Sequence, residues 1–124
     1  MMIRDLNDLP EFIAGDGTIL REFFHPDKDD VDFRYSFACA AVKKGQSSAP
    51  HKLSTSELYY ILEGTGIMCI DGGSKEVRPG QAIYIPPGSV QNIKNTGDDD
   101  LKFICIVDPA WRRENEEILS NEKC

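Results

Sequence analysis

Two stretches decide how this chain folds: GQSSAPHKLSTSELYYILEG, from Gly45 to Gly64, and GQAIYIPPGSVQNIKN, from Gly80 to Asn95. In a strand alternate side chains share a face, so His51 and Leu53 point one way, Glu57, Tyr59 and Ile61 share a face on the next strand, and Gln91 and Ile93 do likewise. Pro86 and Pro87 have no N–H to give a central ladder, so the strand before them stops there and the chain turns at Gly88. Gly45, Gly64, Gly80 and Gly88 supply turns, and the Asn95 side chain can close another.

Working outward, residues 18–24, 33–42, 57–63, 66–70, 82–86, 90–94 and 101–107 are short, apolar or alternating, and bounded by Gly, Pro, Asp or Asn. That pattern predicts an all-β chain. Asp71-Gly72-Gly73 suits a hairpin that needs positive φ, while Arg78-Pro79-Gly80 and Asn95-Thr96-Gly97-Asp98 read as further turns, so successive strands should pair antiparallel. Two segments read as helical: a short turn over 5–12, and a helix over about 109–119 with Asp108 as N-cap, Pro109 in its first position and Trp111, Ile118 and Ala110 to dock it.

A chain of 124 residues fits one domain over 1–124, with 40% hydrophobic and 28% charged residues, as in ordinary globular proteins. Its net charge of −7, with acids gathered at 27–32, 98–100 and 114–117, repels a phosphate backbone and argues against nucleic acid as a partner. No apolar run reaches the roughly 18–20 residues that cross a bilayer, and the N-terminus is charged, so we expect no membrane partner and a cytoplasmic location. Cys39, Cys69, Cys105 and Cys124 are far apart without a C-x-x-C pair, and are expected to be free thiols, the first three in apolar strands and Cys124 exposed. His25 lies outside both stretches and reads as a loop residue.

The two stretches resemble the paired motifs of the cupin family, G-x5-H-x-H-x3-E-x6-G and G-x5-P-x-G-x2-H-x3-N, with motif 1 at 45–64 and motif 2 at 80–95. The resemblance covers roughly residues 33–107 and implies a single cupin domain, an antiparallel β-barrel or jelly-roll. It also implies a site near one mouth, with His51, Glu57 and Gln91 at metal-ligand positions. Leu53 and Gln91 stand where the family usually places histidines. One imidazole, one carboxylate and one amide carbonyl make a weak set for Zn, Mn, Ni or Fe, and oxygen activation, which usually asks for two histidines and a carboxylate, is the least suited chemistry.

His51 and Glu57 remain a candidate catalytic acid–base pair, the carboxylate orienting the imidazole; the plain structural reading is a hydrogen-bonded pair without catalysis. Gln91 reads equally as a buried amide satisfied by main chain. Tyr35, Tyr59, Arg34 and Cys105 are candidates to shape a pocket, with their inward or outward direction left open. The expected function is a small-molecule-binding cupin with an atypical divalent-metal site, a non-redox isomerase or lyase acting on a sugar or small carboxylate. The alternative is a non-catalytic ligand-binding or accessory cupin without metal. Cupins commonly pair through sheet edges, and the apolar alternation Phe33, Tyr35, Phe37, Cys39 predicts a homodimer.

Overall fold

The computed structural model describes residues 1–119. Its strands are β1 (Phe12–Ile13), β2 (Ile19–Phe24), β3 (Ser36–Val42), β4 (His51–Leu53), β5 (Ser56–Glu63), β6 (Gly66–Ile70), β7 (Gly73–Val77), β8 (Ala82–Ile85), β9 (Gln91–Asn95), β10 (Leu101–Asp108) and β11 (Glu116–Ile118). They form two sheets, β1-β2-β3-β10-β5-β8 and β11-β4-β9-β6-β7, with antiparallel pairing throughout. The all-β, antiparallel architecture expected from the sequence is the one observed.

Alternation builds the core. On β5, Glu57, Tyr59 and Ile61 are buried while Leu58, Tyr60 and Leu62 face out. On β9, Gln91, Ile93 and Asn95 are buried. Inward side chains from both sheets, among them Ile61, Met68, Ile85, Ile93, Leu101 and Phe103, meet in one apolar cluster. This face-to-face burial is the main source of stability for such a sandwich.

Turns fall where the sequence placed them. Asp71 and Gly72 both have positive φ, 49° and 84°, the geometry of a two-residue hairpin between β6 and β7. β8 ends at Ile85, immediately before the two prolines. Asn95 closes its turn as expected: its Oδ1 accepts from the Gly97 N–H at 2.9 Å, and its Nδ2 donates to the carbonyls of Val42 and Asp99.

The C-terminal segment departs from expectation. The helix predicted over 109–119 is absent from the described residues; Arg113–Asn115 form a short 3-10 turn and Glu116–Ile118 form β11. Asp108 is the last residue of β10 rather than an N-cap. Helical propensity gives way here to tertiary pairing, because β11 supplies the antiparallel neighbour of β4, with Ile118 opposite His51. At the other end the predicted turn over 5–12 shrinks to a 3-10 helix, Leu6–Asp8, capped by Asp5.

Candidate small-molecule site

Both motifs deliver their polar residues to one region of the interior. β4 and β9 are neighbours, with His51 opposite Gln91, while β5 in the facing sheet brings Glu57 and Tyr59 across from them. All four side chains are almost fully buried. Buried polar atoms need partners, and here they find each other. Gln91 Nε2 donates to Glu57 Oε1 at 2.7 Å, and the Tyr59 hydroxyl donates to Gln91 Oε1 at 3.0 Å. The Cys105 thiol, reaching over from β10, donates to Glu57 Oε2 at 2.9 Å.

Glu57 is therefore not partnered by His51, as the sequence had suggested. His51 belongs to the opposite sheet, and the Gln91 amide, on the strand beside it, occupies the position facing Glu57. His51 Nδ1 lies 2.8 Å from the Ala49 carbonyl oxygen, which can only accept, so Nδ1 carries the proton. Its Nε2 faces Asp16 Oδ2 at 3.6 Å. The other Asp16 oxygen accepts from the Thr18 backbone N–H at 3.0 Å and from its hydroxyl at 2.7 Å, which fixes the carboxylate.

Burial dominates the electrostatics. It pushes the Glu57 carboxyl above its usual range, against the opposing pull of the Cys105 and Gln91 hydrogen bonds and the nearby His51 ring. The Cys105 thiol is held well above its usual range by burial first and by the Glu57 charge second, so it keeps its proton and donates. Tyr59 is raised for the same leading reason.

The Glu57 shift has a sign for stability. Below the ordinary carboxyl value of 4.5 both folded and unfolded chains hold the proton. Above it the unfolded chain ionises first, so stability falls as pH rises until the folded group ionises too. Glu57→Gln preserves the shape and the bond from Gln91, and removes that loss. We expect its stability relative to the parent protein, measured by urea unfolding, to be greater at pH 7 than at pH 4; an equal difference at both would contradict the shift.

Asp16, His51, Glu57, Tyr59 and Cys105 line a pocket of about 280 Å³, with Gln91 behind it, and the remaining walls are largely apolar, including Leu20, Ala38, Phe103 and Val107. Glu116 and Trp111 close one side. The Trp111 side chain hydrogen-bonds Glu116, and burial raises the Glu116 carboxyl against that bond and against His51. His25 lies in a loop, as expected, but is buried and structural: Nε2 donates to the Trp111 carbonyl at 2.6 Å while Nδ1 accepts from the Asp27 N–H, which pins the pocket wall.

Of the four pocket-shaping candidates, Tyr59 and Cys105 line the cavity. Arg34 and Tyr35 do not; Arg34 pairs with Asp108 on the surface and Tyr35 stacks on Phe33. Asp16, Trp111 and Glu116 were missed by sequence reasoning. Asp16 sits in Gly15-Asp16-Gly17, a string that signals only a turn, and Glu116 fell within the helix expected over about 109–119. Cys39 and Cys105 are free thiols, whereas Cys69 is disulfide-bonded, which corrects the expectation of thiols throughout. Cys124 lies outside the described residues.

Among the described residues no three His, Cys, Asp or Glu side chains are grouped to hold a metal ion, and no helix is long and apolar enough to cross a membrane.

A family model for the cupin domain matches residues 39–107, which spans both motifs and more than half of the chain. The chain belongs to the cupin family. This cupin is 40% identical over 116 residues to the protein MJ1618 of Methanocaldococcus jannaschii, covering 93% of this chain and 92% of that one. It is 41% identical over 59 residues to the dimethylsulfoniopropionate lyase DddW of Ruegeria pomeroyi, which spans 48% of this chain and 38% of the lyase. Among solved structures, the polyketide cyclase RemF from Streptomyces resistomycificus superposes with a TM-score of 0.79 at 26% identity, covering 98% of this cupin and 89% of that chain.

Proposed function

We propose that this cupin binds a small organic molecule in its barrel pocket and moves a proton on it, as a non-redox isomerase or lyase, without a resident metal. The observation that carries this reading is how the motif positions spend their polar atoms. Glu57, Gln91 and Tyr59 bond to one another, and Leu53 offers no donor. The Gln91 carbonyl accepts from Tyr59, and its NH₂ is what it turns toward Glu57. That arrangement does not fit a Zn, Mn, Ni or Fe ion held by His51, Glu57 and Gln91, since a divalent ion needs lone pairs converging on one point.

His51 is the group left open. With Nδ1–H held by the Ala49 carbonyl, the ring turns Nε2 to the pocket, the nitrogen at which a general base would take a proton. Glu57, held toward its protonated form by burial, is the complementary acid. DddW is named as a lyase and RemF as a cyclase, which supports a proton-transfer reaction in this barrel. Of the two expected substrate classes, a free carboxylate is the poorer, because the Asp16 and Glu116 carboxyls already line the cavity.

The test is a titration of ¹⁵N-labelled protein with small polyols, hydroxyaldehydes and sulfonium compounds, followed by NMR assay of those that bind. Binding should move the amides of residues 15–18 and 111–116. His51→Ala and Glu57→Gln should each slow turnover by about 10²–10⁴-fold, the usual worth of a positioned acid or base. Turnover unchanged in both variants would overturn the catalytic roles. Binding without turnover of any compound would favour the second reading, a non-catalytic binding module, which the closed Glu57–Gln91–Tyr59 chain also suits.

A homodimer is part of the same proposal. Leu58, Tyr60 and Leu62 on β5 and Tyr84 on β8 are exposed side by side on the outer face of the larger sheet, with Leu58 opposite Tyr84. Such a patch is unusual on a monomer. Sedimentation at micromolar concentration should give twice the chain mass, and Leu58→Asp with Tyr84→Asp should halve it. A monomer from the unmodified protein would refute the pairing.

A further inference from the structure

The pocket gathers hydrogen-bond acceptors on one side. The Ala49 carbonyl holds a proton of His51 on Nδ1, so Nε2 is an acceptor whenever it carries no proton, and what it faces is another acceptor, Asp16 Oδ2. Their separation of 3.6 Å is too long for the hydrogen bond that an imidazolium would make to the carboxylate. It leaves two buried acceptors aimed at one space. Glu116, half-buried and bonded by the Trp111 side chain, adds a further carboxylate to the same cavity, with its Oε1 against Gly15, where a Cβ would come within 2.8 Å.

Among the described residues the one ammonium group lining the pocket, on Lys28, is bonded to Glu22 and largely exposed. Apart from the His51 ring, the acidic groups have no cationic side chain beside them inside the pocket among the described residues. Around them the wall is hydrocarbon and aromatic, from Leu20, Ala38, Phe103 and Trp111.

We propose that the ligand of this pocket carries a protonated primary amine on a short apolar body, the ammonium donating to His51 Nε2, Asp16 Oδ2 and Glu116. An –NH₃⁺ head has three N–H donors and no lone pair, which matches three acceptors without leaving one unpaired. A carboxylate in the same place would meet two fixed negative groups, and a hydroxyl supplies one donor where three acceptors wait. Aromatic faces beside a desolvated cation add a further attraction. The inference rests on the reading of this pocket as a small-molecule site, in its binding form, since an ammonium on His51 Nε2 occupies the lone pair a general base would use, and it names the class of ligand.

Three probes of similar size separate the possibilities: butylammonium, 1-butanol and butyrate, titrated into ¹⁵N-labelled protein near pH 7. Butylammonium should move the amides of residues 15–18 and 111–116 and bind on the order of tenfold more tightly than 1-butanol, with butyrate weaker still. Asp16→Asn keeps an oxygen for the two Thr18 bonds, so the fold is retained, and it should remove most of the butylammonium preference. Equal or tighter binding of 1-butanol or butyrate at those amides would overturn the ligand class while leaving the small-molecule reading in place. No response at those amides to any probe would count against both.

Discussion

Gln91→Leu should lower the stability of this cupin by about 2–5 kcal/mol, because it strips the partner from two buried groups at once. Glu57 Oε1 loses the amide that donates at 2.7 Å, and the Tyr59 hydroxyl loses the oxygen that accepts at 3.0 Å. Each orphaned buried group costs about 1–3 kcal/mol, and the carboxyl belongs at the upper end when it is charged. Leucine nearly fills the volume, so cavity formation contributes little. Lys94→Leu, on the same strand but exposed, serves as the control and should stay within about 0.5 kcal/mol of the parent. Urea unfolding reads both variants. A loss at Gln91 no larger than at Lys94 would mean that the amide does not link the two sheets.

The second large effect is a gain. Leu53→His with Gln91→His restores both imidazoles of the family's pattern beside His51 and Glu57, all on inward-facing positions of β4, β5 and β9. Leu53 is buried on the same face as His51, one alternate position along, so an imidazole there points into the same interior. Replacing Gln91 also frees the Glu57 carboxylate from the amide. Three imidazoles and a carboxylate suit first-row divalent ions. The double variant should bind about one equivalent of Zn²⁺ or Ni²⁺, and its melting temperature should rise when the ion is added, since a ligand for the folded state stabilises it. No metal uptake by a folded double variant would mean that the barrel cannot hold such an ion at these positions.

The frame of this protein was legible because its signals are local. Two-residue alternation placed His51 with Leu53, Glu57 with Tyr59 and Ile61, and Gln91 with Ile93, and the turn residues at Asp71–Gly72 and Asn95 act through their own backbone geometry. Strands whose existence depends on a neighbour were not legible. β7 is Gly-Ser-Lys-Glu-Val with four exposed residues, β1 has two residues, and β11 is Glu-Glu-Ile, which alone reads as helix. The same division holds in the site. His51, Glu57 and Gln91 could be named from spacing, but which of them bond depends on the packing of two sheets, and Asp16 lies 35 positions before His51 in a glycine-flanked turn. Periodicity says which face a residue occupies and nothing about which acceptor it meets there.

On the proposed reading, hydrogen bonds among Glu57, Gln91 and Tyr59 take the place of a metal ion in this cupin. The most direct test of that reading is the metal content of the unmodified protein, purified without chelator and equilibrated in turn with Zn²⁺, Mn²⁺, Ni²⁺ and Fe²⁺. We predict less than about 0.1 equivalent of any ion retained after desalting, against about one for the double-histidine variant. A stoichiometric ion in the unmodified protein that is lost in both His51→Ala and Glu57→Ala would contradict the account.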